Sequence, residues 1–453
     1  MPAAGMKGTK MNIQLSNHFT YKKLFYFCLS PVIMMIFTSV YGVVDGFFVS
    51  NFVGKIPFAA VNLVMPFIMV LGGVGFMVGT GGSALVAKTL GEGNQEKADR
   101  YFTMMVKLTV VLGVLLSTVG FVFIRPISVL LGATDAMIDD CVVYGRAVLS
   151  FNTAFMLQNV FQTFLAAAEK PKLGLAVTTT AGIVNILLDA LFIAIFRWGV
   201  AGAAIATGIG QCVGGILPLI YFARPNSSCL QLRKTRMEGK ALQKACINGS
   251  SELMSNISSS LISVLYNLQL LKFAGEDGVA AYGTLMYIQF IFIAVFIGYT
   301  IGTAPIISYH YGAGNHDELK SLLKKSFFIM GIAGILMMCL AWALAGILST
   351  VFVGYDAELF EMTKHAFKLF AFSFPLSGIN IFASSFFTAL NNGGVSAAIS
   401  FMRTLIFQML SVLILPAFFG IDGIWCSITV AEMLAFGISL AFLIGNRRKY
   451  HYV

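Results

Sequence analysis

Gly91-Glu92-Gly93-Asn94 returns 221 residues later as Gly312-Ala313-Gly314-Asn315, and the same offset holds along most of the chain. It lays Gly54 on Gly275, Asp135 on Asp356, Gly199 on Gly420 and Gly202 on Gly423. The chain is therefore a duplication: two halves on one plan.

Between those landmarks the chain is apolar. Of 453 residues, 58% are hydrophobic and 11% charged, with a mean hydropathy of +0.84, against roughly 25% charged in a soluble domain. Runs of the ~20 apolar residues that cross a bilayer as a helix recur, joined by short polar turns. They predict helices over 24–50, 58–87, 102–124, 142–167, 173–196, 200–222, 250–273, 279–309, 322–348, 363–389, 395–418 and 421–444. Alternating ten-residue strands are absent, which argues against an outer-membrane barrel. The fold class expected is an all-α integral membrane protein with twelve transmembrane helices, six per half. Six is even, so both halves enter from the same side and form a parallel repeat.

The net charge of +10 reads as topology and not as nucleic-acid binding. Lys22, Lys23, Lys88, Lys97, Arg100, Lys170, Lys172, the Arg224 to Lys244 stretch, Lys320, Lys324, Lys325 and Arg447 to Lys449 fall on one side of the predicted spans. The other side holds little beyond Lys55, Arg125, Arg197, Lys272 and Lys364. The positive-inside rule then sets both termini in the cytoplasm. The expected organisation is a cytoplasmic tail over 1–20, a first lobe over 21–222, a basic cytoplasmic linker over 223–246, a second lobe over 247–445 and a basic tail over 446–453. Residues 1–20 lack the apolar core of a cleavable signal, so the first helix is read as its own insertion signal. The seven cysteines have no CxxC spacing and read as small apolar fillers.

Two carboxylates break the apolar pattern well inside helices: Asp45 in the first and Asp189 in the fifth. An ionised carboxylate at the bilayer centre costs at least ~2.5 kcal/mol on insertion scales, and such groups face a bundle interior or a wet cavity. A bound proton, a cation or a basic partner must offset that cost. Lys107 and Arg146 sit near helix ends where they snorkel, which leaves a proton or a cation. Asn185 lies one turn before Asp189, and Thr207 in the sixth helix is the nearest hydroxyl at comparable depth. Two carboxylates, an amide and a hydroxyl form an all-oxygen set suited to a hard monovalent cation, and two close carboxylates equally share a proton. The offset of 221 takes Asp45 to Tyr266, Asn185 to Ile406, Asp189 to Leu410 and Thr207 to Ile428. This chemistry belongs to the first half alone.

A second polar set is Asn152, Asn159 and Gln162 on helix 4, and Asn256, Ser260, Ser263 and Asn267 on helix 7. These residues, with Tyr41, either line a substrate cavity or hydrogen-bond neighbouring helices. Pro31, Pro66, Pro218, Pro305, Pro375 and Pro416 each remove a backbone donor, at hinges or at close packing points. Arg403 and Glu432 read as a structural pair, and Glu252 lies at the start of helix 7. His310 and His316 flank the loop after helix 8 and read as solvated. The Gly-x-Gly-Asn loops lack the GxxxxGK[ST] pattern of an ATP site, and no nucleophile-base pair or His cluster marks an enzyme.

The chain resembles the multidrug and toxic compound extrusion (MATE) transporters from about residue 20 to 445. The resemblance rests on Asp45 after Tyr41, Gly91-x-Gly93-Asn94 and its copy, Ala168-Glu169-Lys170-Pro171 before helix 5 and Gly199-x-x-Gly202 before helix 6. It implies a V-shaped pair of six-helix bundles in the cytoplasmic membrane of a prokaryote, a monomer without cofactor. The implied activity is export of cationic lipophilic compounds by alternating access, in exchange for Na⁺ or H⁺. In the prokaryotic branch most similar to this chain the cation site lies in the first lobe, at positions matching Asp45, Asn185, Asp189 and Thr207. That branch also bends its first helix near a proline, and Pro31 matches it. Another branch uses an acid pair on helices 7 and 10; helix 10 from Ala366 to Leu390 has no acid and Glu252 is too early on helix 7, so that site does not carry over. The alternatives are a flippase for lipid-linked saccharides, which would need a strongly cationic cavity, and an uncoupled channel.

Overall fold

The computed structural model describes residues 13–354 and 356–452. Of the expected tails, residues 1–12 and Val453 lie outside the described residues. The described residues fold into helices without a strand: α1 Tyr21–Phe52, α2 Lys55–Gly91, α3 Gln95–Leu130, α4 Ile138–Ala167, α5 Pro171–Asp189, α6 Gly199–Ala223, α7 Gly239–Gly312, α8 His316–Val353, α9 Ala357–Phe370, α10 Phe374–Ala389, α11 Gly393–Phe401, α12 Phe407–Ile414 and α13 Pro416–Tyr450. Among them ten helical stretches are long and apolar enough to cross a membrane. Within α7, 74 residues long, the path breaks at Gly275 (φ 62°), and α13 breaks in the same way at Gly420 (φ 58°).

The duplication is written in the backbone. Left-handed φ recurs at Gly54 and Gly275, Gly93 and Gly314, and Gly199 and Gly420, each pair 221 residues apart. Glu169 and Asn391, 222 apart, take the same conformation in the turns after α4 and α10. Local hydrogen bonds hold the Gly-x-Gly-Asn loop. Its second glycine closes a Schellman turn, with Asn94 N–H on the carbonyl of Thr89 (3.2 Å) and Asn315 N–H on that of His310 (3.0 Å). Its asparagine caps the next helix, Asn94 accepting from Lys97 N–H and Asn315 from Glu318 N–H, each at 3.1 Å.

Its first glycine joins the halves. A β-carbon on Gly91 would lie 2.0 Å from the carbonyl oxygen of Tyr309, and one on Gly312 would lie 2.0 Å from that of Lys88. Tyr309 is the copy of Lys88, so this is one contact seen from both sides of a pseudo-two-fold axis. The same symmetry relates Gly81 against Gly249 to Gly302 against Cys28. These approaches begin at the basic end of the molecule and reach as far as Gly73 beside Asn256, and the Ser39 hydroxyl on the Phe290 carbonyl (3.3 Å). Small residues suit such junctions, because between helices in lipid close van der Waals packing replaces the hydrophobic effect.

Residues 13–20, expected as part of a cytoplasmic tail, pack against the helices. Leu15 (1% exposed) and Phe19 (0%) are wedged across both halves. Leu15 N–H donates to Glu169 (2.7 Å), Phe19 N–H to Glu318 (2.9 Å), and His18 meets Glu318 at 2.6 Å. His310, expected in solvent, is buried beneath this segment, edge-on to Phe19; His316 is exposed. The basic linker also ends sooner than read, because Gly239 already starts α7 and the exposed Lys240 and Lys244 ride on its first turns. Pro31 stays buried inside an unbroken α1, its carbonyl against Gly298.

Candidate cation-binding site

Three helices of the first half converge on Asp45, Asn185, Asp189 and Thr207. Asp45 on α1 is 8% exposed, Asp189 at the end of α5 is 0% and Asn185 is 3%. Asp189 is the last α-helical residue before a π-helical turn, Ala190–Ile195, a local irregularity frequent at functional positions. The Thr207 hydroxyl donates to Asp45 Oδ1 (3.3 Å), and Asn185 Nδ2 lies 3.5 Å from the Thr207 oxygen. The carboxylates of Asp45 and Asp189 lie within hydrogen-bonding reach of each other. Neither oxygen of Asp189, nor the amide oxygen of Asn185, has a protein donor.

No basic side chain pairs with either acid among the described residues. One turn beyond each acid, Val49 and Ile193 belong to a buried apolar cluster, as does Ala203, one turn before Thr207. Two ionised carboxylates cannot satisfy one another, so a proton held between them or a cation on their oxygens is what this geometry accommodates. The donor set is all oxygen, as a hard cation requires.

Tyr144 completes the surroundings and was not legible in the sequence. It is 1% exposed, its phenol is directed at the Met65 sulfur (4.0 Å), and both carboxylates lie within electrostatic range of it. It extends the stripe of Asn152, Asn159 and Gln162 toward the N-terminal end of α4, which was the available signal.

The other polar candidates are dispersed. Tyr41 hydrogen-bonds Gln158. Asn152 reaches Ser117 (3.4 Å) and Asn159 donates to the Gly72 carbonyl (3.1 Å), both buried, while Gln162 keeps an amide oxygen without a protein partner. On α7, Asn256 and Ser260 bond back to their own helix, at 2.9 and 3.1 Å. Ser263 bonds Tyr282, and Asn267 is half-buried. The structure thus gathers the four acid-site residues and distributes the second set among helix contacts.

The second half treats buried charge differently. Arg403, within a π-helical turn at Met402–Ile406, makes bonds of 2.8 to 3.0 Å to the carboxylate of Glu432. Asn380 donates to Glu432 Oε2 at 2.7 Å and accepts from Ser439 at 3.1 Å. Here Arg403 and Glu432 compensate one another.

A model of the MatE family matches residues 31–191 and again residues 253–414, once per half. The chain belongs to the MatE family. Members of that family are transporters and not enzymes. The chain is 23% identical over 433 residues to the multidrug export protein MepA of Staphylococcus haemolyticus, covering 95% of this chain and 94% of that one. It is 22% identical over 418 residues to MepA of Staphylococcus aureus, covering 91% of each. Among solved structures it superposes on a MatE protein in complex with MaL6 with a TM-score of 0.92, at 21% identity, covering 98% of this chain and all of that one. The outward-facing conformation of a multidrug resistance member of the family gives a TM-score of 0.91, at 21% identity and 98% coverage.

Proposed function

We propose that this protein is a secondary antiporter that exports cationic lipophilic compounds across the cytoplasmic membrane of a prokaryote in exchange for Na⁺ or H⁺. The observation that carries the reading is the uncompensated pair, Asp45 and Asp189, at membrane depth beside Asn185 and Thr207. Multidrug export by the MepA relatives supports the substrate class.

In this reading the chain crosses the membrane twelve times, as a monomer with both termini in the cytoplasm. The ten apolar stretches become twelve when α4 is added and α7 is counted as two helices on either side of Gly275. The halves, 21–222 and 247–445, are two lobes that rock about the glycine-lined junction, with α1 flexing near Pro31. Close packing at the basic end supports a state closed toward the cytoplasm and open outward. Cation or proton entering from outside occupies Asp45, Asn185, Asp189 and Thr207 and lowers affinity for the exported compound, a linkage typically worth ~1–3 kcal/mol. The compound rests between the lobes against polar groups drawn from Tyr41, Asn152, Asn159, Gln162, Asn256, Ser260, Ser263 and Asn267, with aromatic faces that attract positive charge.

The test is efflux of a fluorescent lipophilic cation from cells lacking their own pumps. Active extrusion that stops when the Na⁺ and H⁺ gradients are dissipated supports the reading. Movement of the dye only down its own gradient would return the channel alternative.

A further inference from the structure

At the basic end, the first turns of α7 face the turn between α10 and α11 across a groove of ≈ 340 Å³. Lys240, Lys244 and Ile247 stand on one side, Asn391 and Gly393 on the other, with Asn248 buried in the wall at 2% exposure. Both lysines are exposed and pair with no acidic side chain among the described residues. Both asparagines have their amide orientation fixed by their donors. Asn248 Nδ2 bonds the Thr388 carbonyl (2.9 Å); Asn391 Nδ2 bonds those of Ala389 (3.3 Å) and Ala84 (3.4 Å). Each is left with a buried amide oxygen that no protein donor reaches. α11 begins at Gly393 in this corner, with Asn392 capping the Val395 N–H and the N–H groups of Gly393 and Gly394 left uncapped.

The repeat supplies the comparison. In the first half the corresponding corner is filled by the chain itself. Glu169, the counterpart of Asn391, accepts the Leu15 N–H, whereas Phe19, the counterpart of Lys240, is buried against His310 of the second half. In the second half the segment preceding α7 runs elsewhere. Gln231 N–H bonds Asp99 (3.1 Å), the Arg233 guanidinium meets Asp99 (3.0 Å) and Arg233 N–H bonds Thr103 (3.0 Å), all on α3. The groove therefore asks for an occupant with negative charge for two ammonium groups and helix N–H donors, and hydroxyl donors for two amide oxygens. Ile247, 53% exposed, adds an apolar side.

We propose that this groove holds the headgroup of an anionic phospholipid bearing hydroxyl groups, of which phosphatidylglycerol is the simplest. Lys240 and Lys244 take the phosphate, and the amide oxygens of Asn248 and Asn391 accept from the headgroup hydroxyls. Basic pockets between membrane helices on the cytoplasmic side recognise lipid headgroups by this kind of chemistry.

The experiment is native mass spectrometry of the purified full chain titrated with phosphatidylglycerol, phosphatidic acid or phosphatidylcholine, with lipid-free unfolding temperatures confirming the fold of each variant. Wild type retains phosphatidylglycerol in preference to the others. K240Q/K244Q weakens it roughly tenfold or more, at about 1 kcal/mol per lysine, while K320Q/K324Q, an equal loss of charge on α8, leaves it unchanged. Asn391→Gly keeps the left-handed turn, removes one acceptor and narrows the preference over phosphatidic acid. Equal retention of phosphatidylcholine, equal weakening by K320Q/K324Q, or full competition by soluble glycerol 3-phosphate would each overturn the proposal.

Discussion

Asp45 and Asp189 place their carboxylates within reach of one another in the first half, with no basic side chain between them. The contrast with Glu432, held by Arg403 and Asn380 in the second half, is chemical and not architectural, since the two halves share one backbone plan. A pair that requires a cation is suited to exchanging one; a pair that already has its cation built in is suited to holding helices together.

Thr207 separates the two candidate ions. Its oxygen sits between Asp45 and Asn185 and can ligate Na⁺, whereas a proton is carried by the carboxylates themselves. Thr207→Val keeps the shape and removes the oxygen. For Na⁺ coupling, the Na⁺ concentration giving half-maximal dye efflux should rise about tenfold, the scale of one bond to a charged group; for H⁺ coupling, the pH response should move by less than about twofold. Equal loss of both responses would assign Thr207 to the fold alone.

Breaking the Arg403–Glu432 pair should cost more than removing it. Arg403→Met or Glu432→Met alone leaves a buried charge without its partner, an expected loss of ~3–5 kcal/mol seen as a lower unfolding temperature in detergent. The double substitution should recover most of that stability and retain efflux. Loss of efflux in a stable double variant would instead place the pair in the transport cycle.

Gly91 and Gly312 should respond alike to alanine. In each case the new methyl meets a carbonyl oxygen across the pseudo-two-fold axis, and overpacking of this kind typically costs ~1–3 kcal/mol. Either substitution should loosen the junction. Cys28, buried against Gly302, is a native reporter: its alkylation by a thiol reagent, located by mass spectrometry, should rise to a similar extent in both variants. A response in only one would contradict the symmetric junction.

Burial pushes the Glu169 carboxyl above its usual range, against the opposing effects of the Leu15 N–H and Lys170. An acid whose folded-state value is raised contributes its stability below the unfolded value and loses it as pH rises through the folded one. Glu169→Gln removes the titration and keeps an oxygen for Leu15. Its unfolding temperature should match wild type near pH 4, and equal or exceed it above pH 7, with a flatter profile between. A steeper decline with pH than wild type would contradict this assignment.

The fold was legible because apolar runs have a length set by the bilayer and because the repeat fixes which landmarks belong together. Asp45 and Asp189 were legible for the same reason: carboxylates at that depth are costly enough to be conspicuous. What sequence could not reveal were residues whose meaning depends on long-range packing. Tyr144 looks like any aromatic filler until α4 is set beside α5 and α6. His310 reads as a loop histidine, and only the folding of Leu15 to Phe19 across the halves buries it. Lys240 and Lys244 read as linker charges, yet they stand on helix α7 because exposed lysines are good helix formers and nothing between Gly239 and Asn248 interrupts the turns.

In the proposed antiport Asp45 and Asp189 together carry the exchanged ion. The most direct test is uptake of a lipophilic cation into proteoliposomes against its own gradient, driven by an imposed Na⁺ or H⁺ gradient, for wild type, Asp45→Asn and Asp189→Asn. Uphill transport is expected of wild type with one of the two ions, and of neither variant despite normal folding and retained drug binding. Uphill transport at the wild-type rate by either variant would contradict that role of the pair.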